Sequence, residues 1–321
     1  MNGASSDIEA LQQRAIATIR PLIPADAEER VAATVRQFNS LLREHIRSET
    51  GLRLSDEKSR SAVGVEVVDG FPDSVSRLID RYGDALLWHL IMLQPKLGGV
   101  VEGLDALLMS WDAFENWTLL PDEARGSQGA LERSLRIAHI LQTLAVTREV
   151  FAEIKEIRED ILGAYYFVGP RSPRIEIYWM AQALFAAAFG LRIEDLTIVT
   201  LAHELAHAYT HVGRDIDGSA WRDLGFAQSD SAVVEGLAQH YTAVVTGRVS
   251  VRAPGAQNAY EVLLQHQSEA YLAHDSWFEK SVRQRGEIVR FAMLQARTRG
   301  KVTDQDWRAL LIKTHEDLAK R

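Results

Sequence analysis

In the stretch TIVTLAHELAHAYTH, Thr197 to His211, three histidines fall close together on a background of alanine and leucine. Four residues of α-helix turn through about 400°, so His203 and His207 share one face, about 6 Å apart along the axis. Two imidazoles so placed can converge on one divalent cation at about 2.1 Å each. Glu204 stands about 100° around the helix from His203. There its carboxylate lies beside the open side of the ion, outside the ligand set. It can take a proton from a water attacking a carbonyl and pass it to the leaving amine. HELAH is thus a full instance of H-E-x-x-H on a helix. Leu196, Val199, Leu205 and Ala208 supply the buried side, and the small Ala202 and Ala206 let neighbouring elements come close.

A catalytic site of this kind needs a third protein ligand. His211 keeps the i+4 spacing, but it lies about 12 Å from His203 along the axis. It is expected to flank the site or to cap the helix end, where a positive ring suits the dipole. Glu235, in SDSAVVEGLAQHYTAVVTG, is the better candidate. Asp230 or Ser231 caps that helix and Gly247 closes it. Val233, Val234, Leu237, Tyr241 and Val244 form its apolar face. A charge embedded there is costly unless an ion neutralises it. Gly236 inside a helix costs about 1 kcal/mol relative to Ala, which points to close packing against another element. Asp217 or Asp215, in HVGRDIDGSAW, is the rival third ligand on ligand chemistry.

HELAH, followed 28 positions after His207 by the glutamate of EGLAQHY, resembles the zinc metallopeptidases called gluzincins. The resemblance covers roughly residues 201–241. It implies a zincin-like catalytic core, zinc on His203, His207 and Glu235, a general base at Glu204, and a peptide or protein substrate. In that group an edge strand above the metal binds substrate in extended form, and RIEIYW, Arg174 to Trp179, is the candidate here. Several gluzincins place an aspartate four residues after the ligand glutamate to orient a zinc-bound histidine. This chain has Gln239 there, which either serves as the acceptor or leaves that work to another group. A tetrahedral oxyanion needs a donor besides zinc. His274 and Tyr271, three apart in EAYLAHDSW, are the candidates.

The elements that must position these groups read mainly as helix, with a small β-sheet, an α+β chain. Apolar spacings of three and four predict helices over 8–19, 26–48, 74–94, 100–117, 128–161, 180–189, 193–212, 231–246, 256–273, 276–299 and 304–320. SAVGVEVVDG, residues 61–70, reads as a strand, and AYYFVG and RIEIYW flank PRSP as a hairpin. A soft boundary near Gly126 to Gly129 separates a helical region, 1–127, from a catalytic region, 128–321. The first region is expected to cover the cleft or to bind a regulatory partner. The aromatic clusters LLWHL, with His89, and MSWDAFENW read as core.

The bulk numbers narrow the classes. There is no cysteine, so disulfides, thiolate nucleophiles and cysteine zinc sites are excluded. A net charge of −8 argues against non-specific nucleic-acid binding. The N-terminus lacks a signal pattern, and the most apolar stretch is shorter than the roughly 20 residues of a membrane span. A cytoplasmic location is therefore expected. A helical di-iron site would need a second Glu-x-x-His, and position 238 carries Ala238 instead of His. The alternative to a peptidase is a catalytically inactive binding or regulatory module on the same framework.

Overall fold

The structure is a computed structural model. It describes residues 19–54, 63–72, 161–167, 173–221, 223–279 and 282–320, with positions 10, 12–14, 16, 17, 76 and 77 besides. The helices expected over 74–94, 100–117 and 128–161, most of the helix over 8–19, both aromatic clusters, the PRSP turn and the 127/128 boundary lie outside the described residues, apart from isolated positions.

The described chain is mainly helical with one small sheet. Its order is α1 (Ala27–Thr50), β1 (Gly64–Val68), β2 (Gly163–Tyr166), β3 (Arg174–Tyr178), α2 (Trp179–Ala188) and α3 (Ile193–Val212). Then come α4 (Asp223–Ala227), α5 (Ser231–Val249), α6 (Ala256–Leu264), α7 (Glu269–Leu272), α8 (Arg285–Ala296) and α9 (Asp304–Ala319). A 3-10 turn, Ala273–Ser276, follows α7 directly.

Helix α3 is the axle of the core. Every residue from Ile193 to His211 except Glu194 is buried. Helices α1 and α5 both pack along it, and β2 and β3 lie against it. A helix buried on all sides must satisfy its own polar groups. The hydroxyls of Thr197, Thr200 and Thr210 do so by donating to the carbonyls of Ile193, Leu196 and Ala206, four residues back. Helix α1 offers Val31, Val35, Phe38, Leu42 and Ile46 as one buried stripe and ends at Gly51, whose left-handed φ of 69° favours glycine. Arg30 binds both carboxylate oxygens of Glu194, at 2.8 and 3.1 Å, pinning α1 to the first turn of α3. Both α1 and β1 precede position 127, so the first region helps to build the body that carries the histidines.

The sheet has the order β1-β3-β2. Strand β1 runs parallel to β3, with Val68 opposite Tyr178. Strand β2 runs antiparallel to it, with Gly163 opposite Ile177. The expected β2–β3 hairpin pairing is present, but the expected role of Arg174 to Trp179 as an exposed edge is overturned. Strand β3 is central, and both rows of its backbone hydrogen-bonding groups are used by its neighbours. Trp179 already belongs to α2.

Three helix boundaries also differ from the sequence pattern. Helix α5 runs through Gly247 to Val249, because Val245 and Val249 carry the buried face one turn further. The helix expected over 256–273 breaks after Leu264 and restarts at Glu269 behind Ser268, which has extended backbone. The helix expected from 276 starts only at Arg285, after Gln284 in the left-handed region. Among the described residues, no helix is long and apolar enough to cross a membrane.

Candidate metal centre

His203 and His207 project from the middle of α3, with side chains almost fully buried. Their Nε2 atoms lie 3.0 Å apart and their rings stand at 89° to each other. Glu235 comes from the first turns of α5, packed against α3. Ala202 and Ala206 on α3 and Ala238 on α5 are buried, and Gly236 faces the Trp277 ring. Glu235 Oε2 lies 3.2 Å from His207 Nε2 and 3.4 Å from His203 Nε2.

A metal fit can be tested on these distances. With tetrahedral bonds of about 2.1 Å, two ligand atoms are separated by about 3.4 Å. The three observed separations, 3.0, 3.2 and 3.4 Å, are close to one face of such a tetrahedron. Among the described residues these three form the group able to hold a metal ion. Charge agrees with geometry. Burial works to raise the Glu235 pKa, but the two imidazoles outweigh it and hold the carboxyl well below its usual range. The site therefore presents an ionised carboxylate and two ring nitrogens to one point.

The expected rivals lie elsewhere. Asp217 sits in an exposed turn, where Oδ1 accepts the Ser219 N–H at 2.8 Å and Gly218 takes a φ of 82°. Asp215 accepts the N–H of Ile216. Neither joins the donor group. His211 is buried near the end of α3, stacked on Phe226 at 4.6 Å and 3.3 Å from the Tyr165 hydroxyl. It flanks the site and takes no part in the convergence.

Beside His203, one of the three donors, opens a cavity. His203, Glu204 and Tyr271 border it on the metal side. Glu204 is 1% exposed, and Gly163 of β2 lies directly over its side chain. A Cβ at Gly163 would stand 2.8 Å from Thr200 Cγ2 and 3.1 Å from Glu204 Cγ, so only glycine lets the strand come this close.

The two residues proposed to steady an oxyanion part company. Tyr271 lines the cavity, its ring stacked on His203 at 5.7 Å. His274 does not line it. Its Nδ1 lies 2.9 Å from the Tyr271 carbonyl, which can only accept, so Nδ1 carries the hydrogen. Nε2 then accepts the Tyr260 hydroxyl at 3.0 Å. Burial, the main influence, lowers its pKa. Both nitrogens thus have partners inside the fold. Gln239 Nε2 donates to Gln267 Oε1 at 2.7 Å, a bond across to the break between α6 and α7.

Sequence reasoning did not find Gly163 or the wall residues Phe189 and Gln267. Only Gly163 carried a signal, a glycine inside a strand pattern. Comparison with protein-family models, with curated proteins and with solved structures gives a match in none of the three.

Proposed function

We propose that the chain is a zinc-dependent peptidase built on a zincin-like core, with zinc on His203, His207 and Glu235 and with Glu204 as general base. One observation carries this reading. Three donor atoms from two helices meet within 3.4 Å of one another, and the carboxylate next in sequence borders an open cavity at that point. A zinc ion bound there would supply Lewis acidity, polarising a carbonyl and making an attacking water more acidic.

The chain's own residues do the rest. Glu204, out of bulk water, accepts the proton of the attacking water and returns it to the leaving nitrogen, so its charge alternates while its position stays fixed by the buried helix. Glu235 remains ionised and offsets part of the charge of the cation. Tyr271, stacked on His203, holds that ring and borders the cavity where an oxyanion would form.

The test is metal content together with cleavage of a quenched-fluorescence peptide library. Wild type is expected to bind one zinc per chain and to cleave. Glu204→Gln is expected to keep the zinc and lose cleavage. A wild-type protein that holds zinc yet cleaves no peptide favours the inactive binding module instead.

A further inference from the structure

The break between α6 and α7 is unexpected from the sequence and sits at the cavity. Residues His266, Gln267 and Ser268 of that linker form one wall. The other walls are apolar: Phe185 and Phe189 from the end of α2 and beyond, Val199 from α3 and Leu263 from α6. Polar side chains reach the cavity too, but they are engaged within the fold. Thr200 donates to Leu196 O and accepts from Gln182, and Thr242 donates to Ala238 O. Tyr260 donates to His274. Away from His203, Glu204, Gln239 and the linker, the cavity therefore offers an incoming group mainly apolar surface.

Along the chain the linker is tied unevenly: His266 N donates to Leu263 O at 2.9 Å, while Gln265 and Gln267 donate to Glu261 O and Leu264 O at 3.4 Å, near the limit of a hydrogen bond. Two contacts among the described residues reach it from other elements. The His266 ring stacks on Phe189 at 4.7 Å, and the Gln239 amide donates to Gln267 at 2.7 Å. Gln239 is 3% exposed and stands one helical turn after Glu235 on α5. It thus joins the ligand helix to one wall of the cavity.

We infer that Gln239 is a specificity-determining positioning residue: through Gln267 it holds the 265–268 linker as the wall of a pocket that receives a large apolar side chain next to the scissile bond. The inference rests on the peptidase reading, but the clasp can be measured without it. In the metal-free protein, Gln239→Leu is expected to speed hydrogen exchange of the 265–268 amides roughly tenfold or more over wild type, since a local restraint is lost. Gln267→Leu, which changes the half-buried partner, is expected to do the same should the first variant fold poorly. Gln239→Glu is expected to fall nearer wild type, because Gln267 can turn its amide to donate to the carboxylate. Unchanged exchange in both leucine variants overturns the clasp.

The pocket is read by NMR titration of the metal-free protein with N-acetyl-leucinamide, N-acetyl-phenylalaninamide and N-acetyl-glycinamide. The first two are expected to shift Thr200, Thr242 and Leu263 and the third to leave them still. Equal binding of all three overturns the apolar pocket. With peptides, wild type is expected to favour Leu or Phe over Gly beside the cleaved bond by roughly tenfold or more. Gln239→Leu is expected to shrink that ratio through KM, with zinc content unchanged. A uniform fall in kcat or a loss of zinc assigns Gln239 to His203 instead and overturns the proposal. If wild type cleaves no peptide, the peptidase reading falls, while exchange and titration still decide the clasp and the pocket.

Discussion

Glu235 Oε2 and His207 Nε2 lie 3.2 Å apart although they come from different helices. The convergence depends on α5 lying close enough to α3 for a short carboxylate arm to reach. Removing the arm should therefore act on the metal before it acts on the fold. Glu235→Ala is expected to lose zinc under dialysis that wild type survives, as metal analysis would show, while Asp217→Ala keeps it. The reverse result moves the ligand role to the exposed turn.

Zinc should also stabilise the protein it binds. At a free zinc level about 1,000 times Kd, linkage gives about 4 kcal/mol. Wild type is expected to melt several degrees higher with zinc than after chelation, and Glu235→Ala to show little difference between the two.

Glu204→Gln keeps the size and burial of the side chain but removes the base. The expected loss in kcat/KM is about 10²–10⁴-fold, with zinc content unchanged. An unaltered rate would mean that the carboxylate does not move the proton.

Gly236 faces the indole of Trp277, and a Cβ there would stand 2.5 Å from Trp277 Cζ2. Helix propensity alone favours Gly236→Ala by about 1 kcal/mol. Overpacking of a rigid, buried ring should cost about 1–3 kcal/mol and win. The variant is expected to melt below wild type and, because Glu235 is next in the chain, to hold zinc more weakly. A rise in Tm would show that Trp277 moves aside freely.

His240 gives the fold an acid limit. The residue as a whole is half-buried, but its Nε2 is shut off from solvent and has no hydrogen-bond partner. Burial first, then the neighbouring His274 and Arg285, push its pKa down to about 4 from an ordinary 6.5. Between these values the unfolded chain binds a proton that the folded chain refuses, so stability falls as pH falls. The full contribution is present above pH 6.5 and is lost on the way down to about 4. A loss on the order of 3 kcal/mol is expected across that window, and His240→Phe should remove it. Equal acid sensitivity of wild type and variant in urea titrations would contradict this.

Local pattern and non-local pairing divide what the sequence reveals. Helix α3 is legible to the residue, 193–212, because apolar and small residues surround the histidines and Gly213 follows. Glu235 is legible as a charge set in an apolar face, and Gly236 as a sign of close packing. The central place of β3 is not legible, since its partner β1 is remote in sequence and pairing depends on the whole fold. The break after Leu264 has no glycine or proline to mark it, only a serine with a weak capping signal. The commitments of His274 are hidden for a different reason. Spacing can put a ring on a helix face, but its hydrogen-bond commitments depend on Tyr260 and on the backbone of Tyr271.

The register of the sheet has one further consequence. Val68 ends β1 opposite Tyr178, and Gly163 begins β2 opposite Ile177, so residues 69–162 leave and rejoin the sheet at the same end of β3. The two anchor points are about 10 Å apart, two strand spacings. A short bridge could therefore join Val68 to Gly163 without disturbing the strands. One of the two ends it would tie is the glycine resting on Glu204, so any strain in such a bridge would reach that side chain first.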